Sequence, residues 1–211
     1  MPDVSKGSPV RVDRRKARTR AALIAAARTL IVEGRSETAS IQEIADRADV
    51  GFGSFYNHFS SKVELFREAT TAVLDEWAAI IEHAVEGTVD PAERFATSFR
   101  ISARLAWSHP ELAGVLNGFG LDLLDLDEGF GPRAVRDVTA GIDQSRFTVT
   151  HLPVAMSTIG GSLLGFLRLK VGRPDLVEPE AVEDLTAQLL RMLGVDEAEA
   201  RRLCSLPVPT L

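Results

Sequence analysis

Cysteine is all but missing from this chain of 211 residues: Cys204 stands alone, so no internal disulfide and no cysteine-based metal site can form within one chain. Long apolar runs are missing too. The charge-free stretch Leu152 to Leu167 in the C-terminal half falls short of the ~20 apolar residues of a membrane span. Residues Met1 to Val12 hold no continuous apolar block of the kind a secretory signal needs, so a cytoplasmic location is expected. No alternating apolar–polar strand pattern occurs either, which predicts an all-α chain. Catalytic groups are equally sparse. His83, His109 and His151 stand apart, and neither a nucleophile elbow nor a Gly-Lys-Ser/Thr phosphate loop is present, so neither catalysis nor a cofactor is expected. The acidic run Asp122, Asp125, Asp127 and Glu128 before Gly129 misses the EF-hand spacing, and Arg136 stands where a terminal Glu would fall. It reads as a solvated loop, with no metal assigned.

What is present is enough apolar sequence for a core, 45% against 26% charged, and an uneven distribution of charge. Up to Lys62 there are eleven Lys and Arg against seven Asp and Glu; the rest of the chain carries thirteen against twenty-three. A net charge of -6 therefore hides a first part that is positive. The density is highest at Arg11, Arg14, Arg15, Lys16, Arg18 and Arg20, which reads either as a phosphate-binding arm or as a solvated, fraying terminus.

Periodicity and punctuation divide the chain into helices. A flexible leader is expected over 1–12, then a helix over 13–33 in which Leu23, Ala27, Leu30 and Ile31 share a face and Gly34 gives a left-handed stop. Ser40 with Glu43 forms a capping box that opens a short helix ending near Asp49 to Gly51. A second short helix carries Phe52, Phe55, Tyr56 and Phe59, and a further box, Ser61 with Glu64, opens a long helix ending near Gly87. Asp90 and Pro91 start another, which stops before Pro110. One short helix and an irregular loop are expected over 111–131, followed by helices after Pro132, over 153–170 with Gly172 closing it, between Pro179 and Gly194, and from Asp196 to about Cys204. The division is thus a leader (1–12), a helix-turn-helix domain (13–62) and a larger helical domain (63–211).

Two short helices joined by a tight turn make a helix-turn-helix, whose second helix enters the major groove. Ala45 is small where the two cross; Ile44, Val50 and Phe55 are apolar where they meet the first helix. The face left over is Gln42, Phe52, Gly53, Ser54, Asn57 and His58.

The run from Ile41 to Lys62, with its Phe55-Tyr56-Asn57-His58-Phe59-Ser60-Ser61-Lys62 end, resembles the DNA-binding signature of TetR-family (tetracycline-repressor-like) transcriptional regulators, over about residues 14–66. Asp49 departs from the family pattern, which has glycine in the turn; Asp adopts the left-handed conformation at moderate cost. The resemblance implies an N-terminal three-helix DNA-binding domain followed by a helical ligand-binding and dimerisation domain. It implies that Tyr56, His58 and Lys62 hold phosphates, while Gln42, Phe52, Gly53 and Ser54 face bases or the adjoining backbone. Arg14, Arg18, Ser40 and Asn57 complete the expected DNA-binding set.

It implies further a homodimer on operator DNA through the last two long helices, for which Val182, Leu185, Leu189 and Met192 offer a stripe and Gly160, Gly161 and Gly165 allow close approach; a plain intrachain core also accounts for both. A small, partly hydrophobic effector is expected among Trp77, Phe95, Phe99, Trp107, Asn117, Phe119 and Met156, most of them core residues and some of them ligand contacts. Ligand and DNA would oppose each other, with the fourth helix as lever, giving a repressor released by its effector. A helical small-molecule-binding or scaffolding protein without DNA binding is the alternative, and the basic arm with Tyr56, His58 and Lys62 weighs against it.

Overall fold

Backbone chemistry sets the helix boundaries. The computed structural model describes residues 9–120 and 130–209, and every regular element among them is helical: α1 (Pro9–Val32), α2 (Ile41–Arg47), α3 (Phe52–Phe55), α4 (Lys62–Ala84), α5 (Pro91–Ser108), α6 (Pro110–Phe119), α7 (Phe130–Asp143), α8 (Leu152–Gly172), α9 (Ala181–Met192) and α10 (Glu197–Ser205), with a 3-10 turn at Pro174–Leu176. The acidic run at 122–128 lies outside the described residues.

Helix α1 starts at Pro9, before the position expected, because a first-turn proline lacks only an N–H that would have no helical partner anyway. Part of the expected leader is therefore helical, and Arg14, Arg15, Lys16 and Arg18 are held on a helix. The helix ends in a Schellman motif: Gly34 lies at φ +69°, its N–H donates to the Ile31 carbonyl at 2.9 Å, and the Arg35 N–H donates to the Leu30 carbonyl at 2.8 Å. Helix α8 also differs from expectation. Gly172 is its last helical residue, two beyond the expected end at 170, and Arg173 leaves the helix at φ -142° because Pro174 bars it from the α region. With 21 residues and an 18-residue window of mean hydropathy 1.4, α8 is long and apolar enough to cross a membrane by length and composition, since the helix runs on beyond Leu167.

The chain forms two compact units, up to Thr70 and from Thr71, with the division inside α4 rather than at 62. The reason is burial: Leu65, Phe66 and Ala69, in the first two turns of α4, belong to the N-terminal unit, whose core also holds Leu23, Ala27, Leu30, Ile31, Ile44, Ala45, Phe55 and Phe59.

The C-terminal unit is arranged round α5, which meets α6, α7, α8, α9 and α10. Only a surrounded helix buries consecutive positions, and here Phe95, Ala96 and Thr97 and then Phe99 to Ala103 are all buried. Burying Arg100 on such a helix demands partners: its Nε donates to Glu183 at 3.1 Å and its Nη1 to the Leu206 carbonyl at 2.8 Å, tying α9 and the residues after α10 to α5. Arg146 does the same from the turn after α7, donating to Asp90 at 2.8 and 3.0 Å and to Glu199 at 2.6 Å. Val182 and Leu189 are in this core, against α5, so half of the stripe expected at a dimer surface serves intrachain packing.

Candidate nucleic-acid interface

The turn after α2 is a second Schellman motif, with aspartate rather than glycine at its left-handed position. Asp49 sits at φ +52°, its N–H donates to the Asp46 carbonyl at 3.1 Å, and the Val50 N–H donates to Ala45 at 3.0 Å. The turn is intact at the cost of one left-handed aspartate, as the sequence led us to expect. Upstream, Ser40 caps α2 by accepting the Glu43 N–H at 3.1 Å. The reciprocal half of the expected box is replaced. Glu43 instead accepts a bidentate pair from Arg35 at 2.5 and 2.9 Å and lies 3.4 Å from Arg47, which also grips Glu33 at 2.7 and 2.8 Å. Arg47 holds the exposed Glu33 carboxyl below the ordinary carboxylate range. This four-residue network braces α2 against the end of α1, and of its contacts only Glu43 and Arg47 have a spacing, i and i+4, that announces the pair. The box at α4 is likewise half-formed: Ser61 Oγ accepts the Glu64 N–H at 3.2 Å, while the Glu64 carboxylate accepts from the Ser60 N–H and hydroxyl at 2.7 and 2.6 Å.

On this frame the expected DNA-facing residues take different positions. Phe52 and Tyr56 are exposed, at 46% and 54%, with ring centroids 5.7 Å apart and planes at 73°. Gly53 and Asn57 are exposed as well, whereas Ser54 is half-buried. Gln42 is exposed, and its Nε2 donates to Asp46 Oδ1 at 2.7 Å, a contact that fixes the amide and leaves Oε1 and one N–H outward. The partner was legible only as an i, i+4 spacing on α2.

Of the three residues expected to hold phosphates, Lys62 is engaged inside the unit and His58 is partly enclosed by it. The Lys62 ammonium donates to the carbonyl of Glu37 and to that of Ala39 at 3.3 Å, pinning the start of α4 to the loop that precedes α2. His58 is half-buried, its Nδ1 enclosed without a hydrogen-bond partner. Burial, and then the charges of Lys16 and Arg20, push its pKa below the ordinary 6.5, so near pH 7 the ring is neutral. Arg20 is engaged too, paired with Glu68 and lying 5.3 Å over the Phe59 ring. Among the described residues of α1, Arg14, Arg15, Lys16 and Arg18 are exposed cations beside the exposed but paired Arg20, and Arg14 and Arg18 are one turn apart on one face.

The expected effector-lining residues fall into separate groups. Phe95 stacks on Phe99 at 6.0 Å and meets Phe147 edge-on at 6.1 Å, all three buried. Trp107 lies 6.1 Å from Phe166 with the Lys170 ammonium 4.5 Å from its ring centroid. Trp77 is buried, Asn117 and Met156 are half-buried, and the Phe119 side chain is outside the described residues. None of the three described clefts, of about 370, 280 and 410 Å³, is lined by any of them.

Residues 90–205 match the family model described as "Tetracyclin repressor-like, C-terminal domain", and residues 23–69 match "Bacterial regulatory proteins, tetR family". Among curated proteins, the HTH-type transcriptional repressor KstR2 of Mycobacterium tuberculosis is 32% identical over 83 residues, 39% of this chain and 42% of that protein. The HTH-type transcriptional activator FasR of Mycolicibacterium smegmatis is 35% identical over 75 residues, 36% of this chain and 34% of that one. Both matches span less than half of the relative's length. Among solved structures, RolR in complex with resorcinol is 30% identical with a TM-score of 0.65, covering 94% of this chain and 98% of that one. FadR from Bacillus subtilis in complex with stearoyl-CoA, at 17% identity and a TM-score of 0.66 over 83% of this chain and 99% of the other, shares the fold.

Proposed function

The chain belongs to the TetR family of bacterial regulatory proteins, and from that premise we propose that it is a cytoplasmic, sequence-specific DNA-binding transcriptional regulator, a homodimer released from its operator by a small, partly hydrophobic effector. The carrying observation is the N-terminal unit itself: a braced helix-turn-helix whose outward side bears Gln42, Phe52, Gly53, Tyr56 and Asn57, with the exposed cations of α1 in the same unit. Base edges specify and phosphates position, and this unit offers residues of both kinds. Arg14, Arg15, Lys16 and Arg18 take the phosphates; Lys62 holds the loop before α2 in place; neutral His58 offers at most an N–H.

Dimerisation is assigned to the outward face of α8. Val154 and Leu169 are 64% and 42% exposed there, and a Cβ added at Gly161 or Gly165 would meet nothing within 4 Å. A helix this apolar with an uncovered side suits a second copy, and half-sites one helical turn of DNA apart, about 34 Å, call for two recognition helices, one from each copy. Met192 is also exposed and available at the edge, unlike Val182 and Leu189.

RolR holds resorcinol, which supports a small ring compound as effector, with the half-buried Trp107, Asn117 and Met156 as its contacts rather than the buried Phe95 and Phe99. An effector that weakens DNA binding must be weakened by DNA to the same factor. Family members are generally non-enzymatic, and no catalytic residue is assigned.

The test is selection by the full-length protein from a randomised duplex library at modest ionic strength. A two-fold symmetric sequence with half-sites one helical turn or a multiple apart supports the reading. A flat selection overturns it and favours the non-DNA-binding alternative.

A further inference from the structure

The DNA-binding reading leaves open what kind of base pair is read, and the inference here rests on that reading. Phe52 is half-exposed and carries no hydrogen-bonding atom. Its ring stands edge-on to Tyr56, Tyr56 stands edge-on to the buried Phe55 at 5.4 Å and 78°, and Phe55 lies 6.0 Å from the buried Phe59. A run of ring contacts therefore leads from the core of the N-terminal unit out to Phe52 and holds its ring in place.

The surroundings of that ring are bare. A Cβ at Gly53 would meet nothing within 4 Å, and one at Gly51 would meet only Ser54 Oγ at 3.8 Å, so the chain's own packing does not require small residues on either side of Phe52. What their smallness permits is close approach of an outside surface. Residues 51–58 also contain no Lys or Arg, the side chains that most often pair with guanine O6 and N7. The apolar group that a base pair presents in the major groove is the thymine C5-methyl. We propose that Phe52 is a specificity-determining residue that packs on a thymine methyl, once in each half-site, with Tyr56 as the residue that positions it.

The experiment uses the duplex recovered by selection with the full-length protein and replaces its thymines one at a time, symmetrically in both half-sites, by deoxyuridine, which removes the methyl and leaves the hydrogen-bonding edge intact. One position should weaken binding by about fourfold per methyl, the factor for one buried methyl group, and F52A should bind the thymine and uracil duplexes equally. Phe52 is exposed, so this variant keeps the core of the unit; the scan with the unaltered protein stands even without it. Uracil tolerated within a factor of two at every position overturns the proposal, as does F52A that keeps the methyl preference. Failure to enrich any duplex overturns the DNA-binding reading itself, and the methyl readout with it, so the two failures are distinguishable.

Discussion

Replacing Lys62 by Ala separates two physical roles that one cation could play. In the structure its ammonium donates to the Glu37 and Ala39 carbonyls, and Ala39 is fully buried. A hydrogen bond from a charged donor contributes about 1.5–3 kcal/mol, and the partial exposure of this contact places the loss at the lower end, about 1–2 kcal/mol. Urea denaturation should show that loss as a lower midpoint with an unchanged m-value. Binding to the selected duplex should weaken at every salt concentration, because the loop carrying Ser40 is looser, while the slope of log K against log salt stays the same. A phosphate ligand behaves differently. Each neutralised phosphate contributes about 0.9 to that slope, and a symmetric dimer presents every residue twice, so removing a true contact such as Arg14 or Arg18 should reduce the slope by about 1.8. Fluorescence anisotropy between 50 and 200 mM salt resolves that difference. Should Lys62→Ala flatten the slope by about 1.8 and leave the urea midpoint unmoved, the clamp assignment is wrong and the residue is a phosphate ligand.

Other perturbations test the frame. A Cβ at Gly141 would overlap the buried Phe147 ring, which is itself packed on Phe95, so Gly141→Ala should lower stability by about 2 kcal/mol in urea denaturation. Asp49→Gly should do the reverse, gaining about 1 kcal/mol by relieving the left-handed aspartate at φ +52°; a loss instead would mean that the aspartate side chain has a role in the turn. His58 is held below its ordinary pKa of 6.5 in the fold, so the unfolded chain takes up its proton first as the pH falls. The stability that depends on a neutral His58 is complete above pH 6.5 and declines below it, and a calorimetric pH series should show that decline flattened in His58→Gln. Glu199, drawn down to about 2 by Arg202 and then Arg146, contributes stability that is complete above its ordinary 4.5 and is lost as the pH falls toward 2. Arg146→Met should shrink that acid-sensitive part and cost about 1–2 kcal/mol, less than a fully buried pair because about a third of the arginine is exposed.

Local chemistry was legible in the sequence. Ser40, Ser61, Asp90 and Asp196 accept the hydrogen bonds that their positions before helices imply, and Gly34, Asp49 and Gly194 take the left-handed angles needed past helix ends. These devices act over a few residues, so spacing alone reveals them. The Ile41 to Lys62 run was legible for the same reason, being one continuous segment whose turn and two helices are fixed by neighbours in the chain.

Tertiary structure decided which of those side chains remain available to act. Whether the charges of Arg20 and Lys62 are already engaged depends on Glu68, Phe59, Glu37 and Ala39, and whether Val182 and Leu189 face a partner depends on α5, more than seventy residues earlier. Periodicity marks a face as apolar without saying what covers it, and a positive charge shows no sign in sequence of the distant group that engages it. The identity of the helices was written locally; the division of their residues between holding the fold and meeting a partner was settled by contacts between segments far apart in the chain.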